Sequence, residues 1–444
     1  MNLKKIALPI SCIILIIISH ILFYNPAELI DIVSGQKAQG FSIVWHNIRY
    51  LIEPLYAFVY YVLTLNKDFY KPALIAWTCW LVIGIFIYCA VKKIDFSKWI
   101  VKTLYAVLAL VTLFAFCALV PIPGPKLIKP QNYISFDIHS HSRFSHDNSS
   151  TEKFNQIFHA WAGYDAYFIS EHNNTSSFEH FPKNAQLKTV FPAIQIKSRE
   201  RGLSLVLLSA QPFDGSQYVD LTVKDIIKKA HDNDMLAIMP HWWKWNAYSF
   251  QDLKNMGIDG FEIYNCGYRN FDAAQRQKLI DFAKNNNLPT FGSTDWHGWG
   301  YMTDVWTVIE SKTTENLKEQ LAKTSQTKVI LYRQEQSGSI IRFIIEPISA
   351  YYYYIRDADN KMLASFILWF IILFAFFKTK LSKIFIKYLP LFFSIIFVAA
   401  AGYFLYIYIP ARQTNTMLFP SLFFGCLGLA LLWYGLWKLR NRCG

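Results

Sequence analysis

The chain has 444 residues, of which 53% are hydrophobic and 17% aromatic, with 17% charged and a mean hydropathy of +0.20. Ordinary soluble domains carry about 25% charged residues, so the composition excludes a simple globular enzyme and points to a membrane protein. The net charge of +13 does not mark a nucleic-acid binder, because Lys and Arg flank apolar runs rather than forming a basic stripe; that distribution sets membrane orientation.

A helix that crosses a bilayer needs about 20 mostly apolar residues. In the N-terminal region, 1–125, the runs 6–24, 72–91 and 99–120 meet this requirement. The first follows Lys4 and Lys5 in the manner of a secretory signal. No small-residue cleavage site precedes Asn25-Pro26, so it reads as an uncleaved anchor. A fourth candidate, 43–65, is ambiguous: its clean apolar part, 55–65, is short, and Arg49, Glu53 and Pro54 lie just before it.

From residue 133 short apolar strands alternate with amphipathic helices. Strands are predicted at 133–138, 166–170, 189–194, 203–209, 235–240, 260–264, 289–292 and 305–310, and helices at 151–162, 223–232, 272–286 and 314–323. This order implies parallel βαβ units. Seven or eight of them suggest a barrel, with its chemistry at the C-terminal ends of the strands.

The histidines lie there. Nine of the eleven fall between His139 and His297. His139 and His141 close the first strand, with His146 and Asp147 just beyond. His172 ends the second, His241 the fifth, and Asp295 and His297 a late one. Positions i and i+2 of an extended chain point the same way, so each of the pairs His139/His141 and Asp295/His297 can grip an ion. A single histidine so placed is usually a hydrogen-bonded structural residue; this whole set indicates a metal site. His159, His180 and His231 lack the placement and read as surface or helix-face residues. Of seven cysteines, Cys266 is alone in the polar middle, which excludes a disulfide or a thiolate zinc site there.

The C-terminal region, 340–444, offers spans at 362–377, 388–409 and 418–437. Lys378, Lys380, Lys383 and Lys387 fill one loop and Lys438, Arg440 and Arg442 the tail; both belong on the cytoplasmic face. Tracing back puts the middle domain outside the cytoplasm of a multi-pass inner-membrane protein. Lys4, Lys5, Lys92, Lys93 and Lys98 agree only if 43–65 does not cross. Tyr351, Tyr352, Tyr353 and Tyr354, with Arg356, read as an interfacial aromatic belt.

The run Asp137-Ile138-His139-Ser140-His141-Ser142-Arg143-Phe144-Ser145-His146-Asp147 resembles the opening DxHxHxxxS motif of the PHP (polymerase and histidinol phosphatase) family of metal-dependent phosphoesterases. Ile169-Ser170-Glu171-His172-Asn173 is similar to its TDHN motif, Met239-Pro240-His241 to its AHP strand end, Phe261-Glu262-Ile263-Tyr264-Asn265 to GIEVYN, and Gly292-Ser293-Thr294-Asp295-Trp296-His297 to GSDxH. The resemblance covers 132–333, less than half the chain.

It implies a distorted (β/α)7 barrel over 131–335, inserted between two groups of transmembrane helices and holding Zn, Mn or Fe. Carried over, His139, His141 and Asp295 would hold one ion, and Asp147 or His146 with His172 and His297 another. Pro192-Ala193-Ile194-Gln195 stands where the family has PGxE, and Gly202-Leu203 where it has GH. These departures suggest a reduced site of one or two divalent ions, leaving His241 to contact substrate. A metal-bound water would attack phosphorus, and Asp137 would orient a ligating imidazole from behind. Arg143, inside the first motif, is the leading phosphate-binding cation, since its planar fork suits phosphate oxygens; Arg199, Arg201, Lys244 and Arg269 are lesser candidates. The run Trp242-Trp243-Lys244-Trp245 is equally core packing or a cradle for lipid or sugar.

The expected function is a membrane-anchored phosphoesterase acting on a phosphorylated substrate, a lipid-linked one among the candidates. The alternative is a degenerate domain serving as a membrane-bound sensor or binding module, suggested by Gln195 and Leu203. A transporter is disfavoured by the scarcity of ionisable residues in the spans.

Overall fold

The computed structural model describes residues 4–51, 53, 67–119, 123–181, 189–200, 203–244, 248–268, 271–298, 304–332, 344–411 and 418–440. In chain order the first elements are α1 (Lys4–Phe23), β1 (Ile30–Asp31), β2 (Gln36–Lys37), β3 (Ser42–Trp45), α2 (Asn47–Leu51), α3 (Lys67–Val91) and α4 (Phe96–Leu119). The central elements are β4 (Pro125–Ile128), β5 (Tyr133–Ser140), α5 (Glu152–Ala162), β6 (Ala166–His172), β7 (Thr189–Lys197), β8 (Ser204–Leu208), α6 (Val223–Asp232), β9 (Leu236–Met239), α7 (Phe250–Met256), β10 (Gly260–Asn265), α8 (Ala273–Asn285), β11 (Thr290–Ser293), β12 (Val305–Glu310), α9 (Leu317–Lys323) and β13 (Lys328–Leu331). The chain closes with α10 (Glu346–Asp357), α11 (Asn360–Phe377), α12 (Lys380–Ala411) and α13 (Leu418–Arg440).

Tyr24 apart, all six predicted apolar runs are helical over their described residues. Among the described residues four contain a stretch long and apolar enough to cross a membrane: Leu74–Val91, Phe96–Leu113, Asn360–Phe377 and Leu391–Tyr408. The apolar stretches of α1 and α13, Pro9–Phe23 and Phe424–Trp433, are shorter. The ambiguous run 43–65 opens as β3, which pairs antiparallel with β4; residues 52 and 54–66 lie outside the described residues. Arg49 and Glu53 form a buried ion pair, Nε to Oε2 2.8 Å. Removing either partner of such a pair costs about 3–5 kcal/mol.

The central sheet has eleven strands in the order β11-β10-β9-β8-β7-β6-β5-β12-β13-β1-β2. Parallel pairing holds for β5-β6-β7 and β9-β10-β11, while β8 runs antiparallel to both its neighbours, as does β12. The expected closed (β/α)7 barrel is therefore not what the hydrogen bonds define: the sheet is mixed and open. Six residues separate β7 from β8, too few for the crossover of a dozen or more that a parallel pair needs.

The sheet nonetheless wraps one apolar core. Ile134, Phe136 and Ile138 of β5 meet Phe168 of β6, Val206 of β8, Ile238 of β9 and Phe291 of β11, with Leu317 and Leu321 of α9 beneath. Beyond β11, Asp295 N donates to His139 O (2.8 Å) and His141 N to Trp296 O (3.1 Å). These two bonds bring the last histidine motif against the first.

Helix α5 backs this junction. Thr151 caps it by accepting from Phe154 N, and it ends at Gly163 with φ +89°, where a Cβ would stand 2.7 Å from Leu127 O. Loss of such an N-cap typically costs ~1 kcal/mol. Its buried residues are mostly polar, Glu152, Asn155, Gln156 and His159 beside Phe158 and Ala162, because it supports the site as well as an apolar core.

Candidate metal centre

The parallel register between β5 and β6 slips between Asp137 and Ser140, an irregularity of the kind that re-aims side chains. Three donor groups form at the strand ends: His139, His241 and Asp295; His141, His172 and His297; and His146, Asp147 and His172. Each residue that the sequence marks as a ligand falls in one of these groups. Their partition differs from the one the resemblance implied, because His241 joins His139 and Asp295 as a donor. Asp295 stands between the first two groups, its Oδ1 3.3 Å from His139 Nε2 and 3.1 Å from His141 Nε2. Asp147 Oδ1 lies 3.3 Å from both His172 Nε2 and His297 Nε2.

Hydrogen bonds at the far side of each ring fix the tautomers. His141 Nδ1 donates to Ser145 Oγ (3.0 Å), which also accepts from His172 N (3.0 Å) and itself donates to Glu171 Oε2 (2.5 Å). His297 Nδ1 donates to Asp295 O (2.7 Å), and His139 Nδ1 to Glu262 Oε1 (3.2 Å). In each ring Nε2 faces the cluster, the orientation a metal-ligating imidazole needs, and His141 Nε2 also bonds Asp295 Oδ1 (3.1 Å). His139 Nε2 and Asp147 Oδ1 are buried without a hydrogen bond. Orphaned polar atoms of this kind, in a set of nitrogen and oxygen ligand groups, suit a divalent cation. The residues fit a metal.

Electrostatics agree. Burial opposes charging of His139, but Asp295 and Glu262 outweigh it and lift the imidazole to about 9. Burial and the neighbouring His297 and His172 keep His141 neutral, well below the usual histidine range. Despite burial, His139, His297 and His141 hold the Asp295 carboxyl well below its ordinary value, and His297 and His172 do the same for Asp147. Protons and carboxylates share a space built for positive charge.

The backbone is strained here too. His241, Asp295 and Asn173 have φ of +30°, +46° and +50°, a region that non-glycine residues rarely adopt and that clusters at functional sites.

Other expected roles are revised. Asp137 does not support a ligating ring: its Oδ1 accepts from His139 N (3.1 Å) and Thr294 N (3.2 Å), and its Oδ2 from Thr294 Oγ1 (2.5 Å) and His159 Nε2 (3.1 Å). It ties β5 to the Asp295 loop by the backbone. His159 is a buried helix-face residue, stacked on Tyr167. Arg143 is turned to Glu152, Nε to Oε1 2.9 Å, with its guanidinium over the Tyr406 ring at 5.4 Å. Gln195 Nε2 donates to His241 Nε2 at 3.0 Å, so the amide in place of a family glutamate steers a donor instead of adding charge. Trp242 and Trp243 are packing residues: Trp242 lies in the core and Trp243 stacks on Phe271. Arg199 is exposed; Arg201, Trp245 and Arg269 lie outside the described residues, and so does the Lys244 side chain.

Glu262 was missed as a functional residue. It also accepts from His241 N (2.6 Å), Asn265 Nδ2 (3.0 Å) and Ser293 Oγ. Its signal was a carboxylate between Phe261 and Ile263 in a strand buried end to end, which needs a partner to be tolerated.

No family model matches the chain, and no curated protein matches it. Among solved structures it is similar to a protein from Bifidobacterium adolescentis assigned as a metal-dependent phosphoesterase (14% identity, 37% of this chain and 88% of that one, TM-score 0.33). It is also similar to PsfC from Pseudomonas syringae (13%, 50% and 98%, 0.36). A third is a two-domain protein from Bacteroides vulgatus containing a predicted PHP-like metal-dependent phosphoesterase (14%, 49% and 69%, 0.34). These likenesses are remote and extend over half of the chain or less.

Proposed function

We propose that the chain is a membrane-anchored, metal-dependent phosphoesterase, with a metal-binding domain at 131–335 between membrane regions at 1–125 and 340–444. The observation that carries the reading is Asp295, whose carboxylate stands between the two histidine groups, 3.3 Å from His139 Nε2 and 3.1 Å from His141 Nε2. His139, His241 and Asp295 would hold one divalent ion, and His141, His172 and His297, with Asp147 beside the last two, a second; Zn, Mn or Fe suit these donors. Such an ion would polarise water and stabilise the negative charge that builds on the phosphoryl oxygens. The chain's own residues do the positioning: Glu262 and Ser145 fix the rings of His139 and His141, and Asp137 ties the two ligand loops together.

The test is full-length protein, analysed for metal content and assayed on phosphomonoesters and phosphodiesters with Mn or Zn. Bound metal and turnover, both lost in His139→Ala and His297→Ala, are expected. Absence of turnover with every metal, or turnover indifferent to both substitutions, removes the proposal.

The Gln195–His241 bond favours a second reading, a binding or sensing module, since a neutral amide stands where the family has a carboxylate. Stoichiometric metal without turnover would select it.

A further inference from the structure

The C-terminal end of membrane helix α12 is part of the metal site's rim. Tyr403 Oη donates to Ser149 O at 2.7 Å, and Ser149 N donates to His297 O at 3.0 Å. One turn on, the Tyr406 ring lies under the Arg143 guanidinium, 5.4 Å from its centroid. On the other side of the cluster, Trp296, between Asp295 and His297, packs with Phe158 into a core shared with apolar residues of α1, α3, α4, α10 and α11. Both ligand loops are thus keyed into membrane helices.

Depth follows from position on the helix. The apolar window of α12 ends at Tyr408; at about 1.5 Å per residue Tyr406 lies about 3 Å and Tyr403 about 7.5 Å before that end. Tyr406 therefore sits in the last apolar turn, beside the interface where tyrosines concentrate. Tyr406 is 55% exposed, so one face meets Arg143 and the rest meets lipid. Glu152 holds the Nε edge of Arg143; among the described residues its two Nη groups make no hydrogen bond. A fixed cation with open donors, held on the last apolar turn of α12 and in the same motif as His141 and Asp147, meets a lipid-borne phosphate before a dissolved one.

We propose, resting on the phosphoesterase reading, that the substrate is a phosphate ester carried on a membrane lipid, taken from the headgroup layer beside α12, with Arg143 and Tyr406 setting that preference. Hydrolysis forms a P–O bond to the oxygen of water and breaks the P–O bond to the lipid alcohol, which leaves with a proton from that water.

The experiment uses full-length protein in phosphatidylcholine vesicles containing phosphatidic acid (a phosphomonoester) or phosphatidylglycerol (a phosphodiester). With Mn or Zn, each is compared with p-nitrophenyl phosphate or bis(p-nitrophenyl) phosphate in water. One lipid is expected to be turned over in preference to its soluble counterpart. The lipid-to-soluble ratio of kcat/KM should fall about tenfold in Tyr406→Ala, between the scales of an exposed and a desolvated cation–π contact, and return in Tyr406→Phe. A purely structural tyrosine would lower both rates together and leave the ratio unchanged, which would overturn the assignment. Soluble esters hydrolysed with neither lipid touched would overturn the lipid substrate and leave the phosphoesterase standing. No hydrolysis of any ester would remove both. Independently of turnover, metal-free protein should retain phosphatidic acid over phosphatidylcholine by native mass spectrometry, and Arg143→Gln should lose that preference; equal retention by the unaltered protein counts against the proposal.

Discussion

Glu262 reaches two donors of one metal group at once: its Oε1 accepts from the His139 ring at 3.2 Å and its Oε2 from the His241 backbone at 2.6 Å. Both Glu262 and His139 are fully buried, so the ring orientation is set by one carboxylate. Glu262→Gln keeps the shape but replaces one acceptor with a donor. Metal affinity is expected to fall about 10–100-fold, the usual effect of losing an outer-shell partner, as read by competition with a chelating dye. Unaltered affinity in a folded variant would show that His139 needs no such support.

Gly267 approaches Asp295 so closely that a Cβ there would stand 2.8 Å from Oδ2 and 3.1 Å from Asn265 Oδ1. Gly267→Ala removes no donor yet must displace the carboxylate between the two groups. The expected outcome is loss of bound metal by elemental analysis, with the helical circular dichroism signal retained.

Burial lifts the Glu171 carboxyl to about 7, against the hydrogen bonds it accepts from Ser142 and Ser145. In the unfolded chain it titrates near ~4.3. The folded value is the higher one, so its contribution to stability is complete below the unfolded pKa and is lost as pH rises through 7. Glu171→Gln cannot ionise and escapes this loss. For metal-free protein, the Tm of the variant should gain on that of the unaltered chain across this window and level off above it. A difference independent of pH would contradict the assignment.

Asp31 fastens the outer edge of the sheet. Its Oδ1 accepts from Val33 N (3.1 Å) and from Val329 N of β13 (3.2 Å), and its Oδ2 from Ser34 Oγ (2.8 Å). Asp31→Ala leaves buried donors unmet, at about 1–3 kcal/mol, which corresponds to a Tm lower by several degrees at ~2–4 °C per kcal/mol. The isolated segment 131–335 would lack β1 and β2, expose the β13 edge and aggregate, measurable by light scattering.

The histidines were legible because strand-end position and i, i+2 spacing are local properties of the sequence. His241 as a donor was not, since its grouping depends on Gln195 and Glu262 arriving from other strands. The direction of β8 could have been read from the six residues between Lys197 and Ser204, which leave room for a hairpin alone. β1 and β2 could not: Ile30 pairs with Leu331 across 301 positions, and two-residue strands carry no periodicity. Arg143 was expected as a phosphate cation, but that Glu152 at the start of α5 holds its Nε edge was not legible, because that proximity depends on the turn at 142–150. The aromatic run at Trp242 was open between packing and ligand contact until Trp242 and Trp243 were seen within the core.

Strand hydrogen bonds do not form through a bilayer, so the β3–β4 ladder imposes a parity. Trp45 pairs with Pro125, so in a bilayer an even number of crossings would have to separate them; α3 and α4 would supply two, and a third would tear the ladder apart. Were every apolar helix, the shorter α1 and α13 included, to make one crossing, Lys4 and Lys5 would fall on the far leaflet. So would Lys92, Lys93 and Lys98, the four lysines of 378–387, and the basic tail from Lys438. A two-strand ribbon would then sort four scattered basic clusters onto a single face, opposite the histidines, without reference to any charge.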